Sequence, residues 1–216
     1  MSEYIRQAIL SGILETFEMT LFASLFSYLI GMPLGVILYA TSRGRLLENR
    51  VVNAVIGFIV NVTRSLPFLI LLVLLIPFTR FVVGSSIGTV ASIVPLTVGA
   101  IPIVARMVES SLNEVNPGII EAATSMGASP VYTIIHFIIP EATPSLLQGG
   151  AINVATVLGY SAMAGVIGGG LGAIALQYGY YRYQKDVLWT TVTLLIIMVM
   201  LIQEIGIRLS KKTRKV

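Results

Sequence analysis

The sequence predicts an all-α membrane protein with five transmembrane helices. Three observations carry that expectation. Of 216 residues, 56% are hydrophobic and 11% charged, with a mean hydropathy of +0.89, whereas soluble domains are about a quarter charged. The apolar residues fall in long runs nearly free of charge, each near the ~20 residues that cross a bilayer as a helix. One poorly hydrophobic island, 116–140, interrupts them with paired helix-start signals. The chain has no cysteine, which removes disulfides and thiolate chemistry. Its net charge of +4 is not gathered on a soluble face, so nucleic acid is not expected as a partner.

Taken in order, Ile5, Ile9, Ile13 and Phe17 recur every four residues, with Arg6, Gln7 and Glu15 on other faces. This spacing predicts an interfacial or extended first helix. The start lacks a basic region, short apolar core and small-residue cleavage site, so no cleaved signal peptide is expected. Spans are expected at 19–42, 51–78, 90–112, 144–167 and 187–207. Arg43, Arg45 and Arg50 follow the first. Arg64 interrupts the second, which also carries Pro67, and a Gly84-Ser85-Ser86 turn precedes the third. Thr143-Pro144 reads as the opening of the fourth helix, and a Gly- and Tyr-rich loop separates it from the fifth.

The island at 116–140 reads as two short helices and a hinge. Asn116-Pro117 offers an N-cap followed by proline at the first helical position. Gly127 supplies a left-handed residue to end that helix, and Ser129-Pro130 repeats the cap-plus-proline device. Ala123 and Gly127, four apart, leave one face bare enough for another backbone to approach. Five spans put the termini on opposite sides. Arg208, Lys211, Lys212, Arg214 and Lys215 then lie with Arg43, Arg45 and Arg50, against Arg6, Arg80, Arg182 and Lys185 across the membrane. The positive-inside rule favours the N-terminus outside and the C-terminus in the cytoplasm, where the hairpin also falls.

Other features admit two readings each. Arg64 inside an apolar run costs about 2.5–3.5 kcal/mol unless paired or hydrated. It is either part of a translocation route or an anchor on backbone carbonyls or on a carboxylate such as Glu18. Gly149, Asn153, Thr156, Tyr160 and Met163, at gaps of four and three, share one helix face. Such a stripe lines a watery path or packs helices closely, and both uses coexist if the face meets a two-fold axis. Met163, flexible and apolar, could then close the path from both subunits. Gly31-x-x-x-Gly35 and Gly165-x-x-x-Gly169 read as close-packing pairs. The glycines from Gly170 fit a dinucleotide fingerprint formally, but no strand precedes them. His136 is the sole histidine, so no histidine metal cluster or triad can form.

Glu121-Ala122-Ala123, then Gly127, then Ile139-Pro140, between apolar spans, resembles the EAA loop of ABC-importer permeases. The resemblance implies a type I ABC-importer permease fold, with a cytoplasmic coupling (EAA) helix that docks into a separate ATPase. Glu121, Ala122, Ala123 and Gly127 are the implied ATPase-coupling residues. The chain has no phosphate-binding loop and no expected catalytic or metal site; ATP and Mg would be used by the partner. ATP sites in that class form between two ATPase copies, so one hairpin per chain implies two ATPases and a second copy of this chain. Arg64-Ser65-Leu66-Pro67-Phe68, Val94-Pro95-Leu96-Thr97, Leu158-Gly159-Tyr160-Ser161-Ala162-Met163 and Gln177-Tyr178-Gly179-Tyr180 are similar to the methionine-importer permease family. That similarity implies methionine, D- or L-, as substrate, with another amino acid or small zwitterion as the alternative, an extracytoplasmic binding protein as partner, and the bacterial cytoplasmic (inner) membrane as location. It makes Met163 the leading gate residue, with Tyr160, Ser161, Asn153 and Arg64 along the path, and alternating access the mechanism.

Two other classes fit less well. A secondary transporter or channel calls for acidic residues within spans, whereas Glu18, Glu109 and Glu204 sit toward span ends. A membrane enzyme calls for convergent His, Asp, Ser or metal ligands, and none is apparent.

Overall fold

Long apolar runs bury their own backbone polar groups only as helices, and helices are what form. The computed structural model describes residues 3–213; Arg214 and Lys215, counted above in the charge asymmetry, lie outside that range. Helix α1 spans Glu3–Thr41, α2 Arg50–Ser65, α3 Phe68–Leu74, α4 Ile76–Val83 and α5 Thr89–Asn113. Two short helices follow, α6 Pro117–Ser125 and α7 Pro130–Thr133, then α8 Ile139–Ala164, α9 Gly170–Ile174 and α10 Lys185–Thr213. Among the described residues, four stretches are long and apolar enough to cross a membrane, and the bent pair α2–α3 makes a fifth when counted as one span.

α1 and α5 form the most extensive helix pair. Glycine makes it possible: a Cβ on Gly31 would stand 2.7 Å from Val104 Cβ, and one on Gly35 2.6 Å from Val108 Cβ. The Gly31/Gly35 pair is therefore a packing device, as its spacing suggested. Against this pair α8 buries Val157 and Ala164 beside Met19, Ala23, Leu96 and Ala100. Nearer the hairpin, Tyr39, Val108 and Leu112 pack with Ile134 and Ile138. Two buried hydroxyls of α1 are satisfied within their own helix: Thr16 donates to Gly12 O, and Thr20 to Thr16 O.

Several sequence expectations change. The second predicted span is broken, α2 and α3 meeting at 104°. Leu66 is extended (ψ 127°) because the ring of Pro67 disfavours a helical conformation in the residue before it. The fourth helix does not open at Thr143-Pro144. It runs continuously over Pro130–Ile167, and Thr143 is a helix-interior residue whose hydroxyl bonds back to Ile139 O at 3.1 Å instead of capping a free N–H. A π-helical turn at Ile134–Ile138 precedes Pro140, so the change of hydrogen-bond register falls where proline lacks its N–H. Part of the Gly- and Tyr-rich stretch is also helical, as α9 continuing into a second π turn, Ala175–Tyr180. Its start is capped across the chain: Gly170 N–H donates to Glu15 Oε2 (2.7 Å) and Leu171 N–H to Thr16 Oγ1 (2.8 Å).

Candidate functional site

The hairpin is built from the local devices its sequence carries. Asn116 Oδ1 accepts from Gly118 N–H at 2.9 Å, with Pro117 at the first helical position of α6. The helix stops at Met126, and Gly127 takes φ +79°. Gly127 N–H bonds Thr124 O (3.0 Å) and Ala128 N–H bonds Ala123 O (3.1 Å), the paired bonds of a Schellman ending. Ser129 Oγ then accepts from Tyr132 N–H, with Pro130 opening α7.

One face of this hairpin is fixed and the other free. Ala123 is fully buried, and Ile119 and Ile120 pack on the cluster containing Ile134 and Ile138. Ala123 is thus a contact with the chain's own body, which corrects the expectation that it leaves a bare outward face. Glu121, Ala122, Thr124, Ser125, Met126 and Gly127 are exposed. Met126, 71% exposed at the tip, was not singled out from the sequence; its signal was an apolar residue directly before the turn glycine. His136 stacks on Tyr132 (4.1 Å between centroids) and is exposed.

The far end of α8 carries the other candidates. Met163 lies next to its last residue and is 46% exposed. Tyr160 stacks on Phe68 at 4.6 Å and 7°, so the bend at Pro67 brings α3 against α8. The stripe divides, for Asn153 is buried within the chain while Met163 faces out; Ser161, which is not on the stripe, is buried as well. The turn after Met163 is held from both sides. Gly88 N–H donates to Ile167 O (3.1 Å), and a Cβ on Gly169 would stand 3.2 Å from the backbone of Thr89. Gly165 packs directly on the backbone of Gly172 and Ala173, a contact that leaves no room for a side chain.

Arg64 is exposed at the end of α2 and makes no hydrogen bond or ion pair among the described residues; the suggested pairing with Glu18 does not form. The cation that ties helices together is Arg106. It bonds Glu109 (2.6 Å) on its own helix, and Asn61 Oδ1 (2.8 Å) and Gly57 O (3.4 Å) on α2. Neither contact was singled out from the sequence, where the i,i+3 spacing of Arg106 and Glu109 was the one local signal. On the loop after α1, Glu48 is held below the usual carboxylate range by the Gly44 N–H and by Arg50. Among the described residues no three His, Cys, Asp or Glu side chains converge on a metal site.

Residues 31–210 match the family model described as binding-protein-dependent transport system inner membrane component. The chain belongs to that family. Within this inner membrane component family, the chain is 48% identical over 199 residues to a Vibrio cholerae protein named "Probable D-methionine transport system permease protein MetI". That match covers 92% of this chain and 88% of the relative. It is likewise 48% identical over 165 residues to the D-methionine transport system permease protein MetI of Escherichia coli K12, covering 76% of each. A solved chain of the MetNI methionine ABC transporter, in an inward facing conformation, superimposes with a TM-score of 0.97 at 46% identity over the whole of both chains. A more distant amino acid ABC transporter, 22% identical with a TM-score of 0.78, shares the fold.

Inner membrane components of this family are transport subunits. The chain has the type I ABC-importer permease fold and is not itself an enzyme. As an ABC-transporter permease subunit, the chain implies a separate ATPase partner that uses the ATP. The hairpin that was legible from the EAA spacing occupies one end of this permease and Met163 the other, joined by α8, which at 1.5 Å per residue is roughly 39 Å long.

Proposed function

We propose that this chain is the permease subunit of an ATP-driven importer of methionine, working by alternating access. The superposition with the MetNI chain at 46% identity over the full length carries the substrate assignment. Two copies of the chain would meet two ATPases, with an extracytoplasmic binding protein delivering substrate from outside. The N-terminus lies outside and the C-terminus in the cytoplasm, as the excess of Lys and Arg after α1 and on the last turn of α10 favours.

The exposed tip of the hairpin (Glu121, Ala122, Met126, Gly127) is the ATPase-coupling surface, with Ala123 seating α6 on the chain. Glu121 would accept from backbone amides or a basic side chain of the ATPase, since no ion pair occupies it among the described residues. Because α6 packs through Ile119 and Ile120 on Ile134 and Ile138, a displacement of the tip passes to the base of α8. Interiors packed at this density transmit such motion instead of absorbing it. At the other end Met163 closes the path in the resting dimer, and Tyr160, stacked on Phe68, carries α3 with it. Arg64, exposed and unpaired among the described residues, fits a role on the route better than one as an anchor. Closure of the ATPases on ATP and Mg would rock the two permease halves outward, and hydrolysis would reset them.

Reconstitution tests this reading. The chain is co-expressed with its ATPase, placed in liposomes with the binding protein, and assayed for ATP-driven uptake of labelled D- and L-methionine. Uptake competed by methionine and absent without ATP is expected. Uptake that ignores ATP would overturn the importer reading, and ATP-driven uptake indifferent to methionine would overturn the substrate.

A further inference from the structure

A buried polar seam lies between α1 and α8, apart from the hairpin tip and from Met163. Ser24 and Tyr28 project from α1 and Asn153 from α8. Ser24 is 6% exposed and Asn153 1%. Ser24 Oγ, Tyr28 Oη, and both Oδ1 and Nδ2 of Asn153 are buried without a hydrogen-bond partner among the described residues. The register of the two helices brings these groups together. Tyr28 Oη lies 2.5 Å from where a Cβ on Gly150 would stand, and Ala23 shares a cluster with Val157. Falling numbers on α1 therefore meet rising numbers on α8, and Asn153 falls between the levels of Tyr28 and Ser24, within about one turn of each.

Buried polar groups in native structures are nearly always paired, so four unmade atoms in one interface need a cause. Leaving them unmade weighs against the conformation that does so. A second, independent observation concerns how α8 enters this interface. It does so through the π turn at Ile134–Ile138, where one extra residue is held in the helical register. Relaxing that turn would shift α8 against α1. Next to Tyr28 and Met107 no side chain of α8 stands in the way of such a shift, because Gly149 and Gly150 have none. The neighbour over Gly149 is Met107, whose flexible chain can re-pack.

We propose that Ser24, Tyr28 and Asn153 form a conformational switch: their hydrogen bonds are unmade in the inward-facing arrangement and are made across the α1–α8 interface when α8 shifts toward the outward-facing one. Naming these two states rests on the importer reading above. The unmade bonds raise the free energy of the resting state, so ATP-driven closure starts from a less stable ground state.

Tyr28→Phe and Asn153→Leu test it in the assembled complex. Tyr28→Phe removes a hydroxyl and Asn153→Leu replaces two polar atoms with methyls on the same branched skeleton, so the resting state carries fewer unmade groups. The expected result is a nucleotide-free complex whose Tm rises by about 2 °C or more, with ATP-driven uptake lowered about tenfold. A Tm that is unchanged or lower means the groups are already satisfied at rest, and overturns the switch; so does unchanged uptake. Tyr28→Phe adds no atom, so it decides the case if Asn153→Leu misfolds. Absence of ATP-driven uptake by the unmodified complex would instead sink the importer reading, and the thermal shift of the purified chain would still judge the seam.

Discussion

Replacing Gly127 with aspartate separates docking from folding. Gly127 sits at φ +79°, where a non-glycine residue is strained by about 1–2 kcal/mol, with Asp near the lower end because it visits this region more readily. A Cβ there would meet nothing within 4 Å, so no clash is added within the chain. The bonds that end α6 are all backbone and survive the change. Against a typical stability of about 5–15 kcal/mol the chain stays folded, with a Tm lower by only a few degrees. What the substitution does add is a carboxylate on the exposed tip, where the ATPase backbone is to approach. Recovery of the ATPase with tagged chain, and ATP-driven uptake in liposomes, should each fall at least about tenfold, equivalent to ~1.4 kcal/mol of lost interaction. Gly127→Ala carries the same backbone strain without the charge and should lose less. A Gly127→Asp chain that binds the ATPase and transports like the unmodified protein would refute the docking surface.

Met163→Ala should leave Tm nearly unchanged, because the side chain is half exposed, and should raise ATP hydrolysis without binding protein; tightly coupled hydrolysis in the variant would remove Met163 as the gate. Gly31→Ala drives a Cβ to 2.7 Å from Val104 Cβ and should cost about 1–3 kcal/mol by thermal unfolding. Gly159→Ala, with nothing within 4 Å, should cost the isolated chain almost nothing, and equal losses at the two sites would contradict the α1–α5 close approach. Arg106→Ala strips the half-buried Glu109 of its partner and frees α2 from α5, for about 1.5–3 kcal/mol, whereas Arg64→Ala should leave stability unchanged. The reverse order of those two in a thermal scan would overturn the assignment of the anchoring role to Arg106.

Much of the hairpin was legible because its devices are local. An Asn or Ser side chain reaches an N–H two or three residues on, proline presets φ, and glycine alone takes φ +79° without strain, so 116–130 specifies its own caps and turn. Helix content is legible for a similar reason, since an apolar stretch in a bilayer must satisfy its own backbone. The close-packing role of Gly31 and Gly35 was legible too, because removing side chains one turn apart has few other uses.

The rest depended on groups distant in the chain. Thr143-Pro144 looks the same whether it starts a helix or lies inside one; the choice was made by the π turn before Pro140 and by Ser210, whose hydroxyl bonds Pro144 O at 2.8 Å. Pro67 was visible inside a single expected span, but not the bend of 104° that sets Phe68 on Tyr160. Period 3.6 placed Asn153, Tyr160 and Met163 on one face, yet that face is wide enough for Asn153 to be buried while Met163 is open. By itself, then, the sequence determined the helices, the capped hairpin and its glycine turn, through interactions spanning a few residues. The tertiary structure alone decided which end of the α8 stripe is open, which arginine anchors α2, and that Glu15 caps a helix 155 residues away. Those outcomes turn on which surfaces meet, and periodicity along one helix does not record its neighbours.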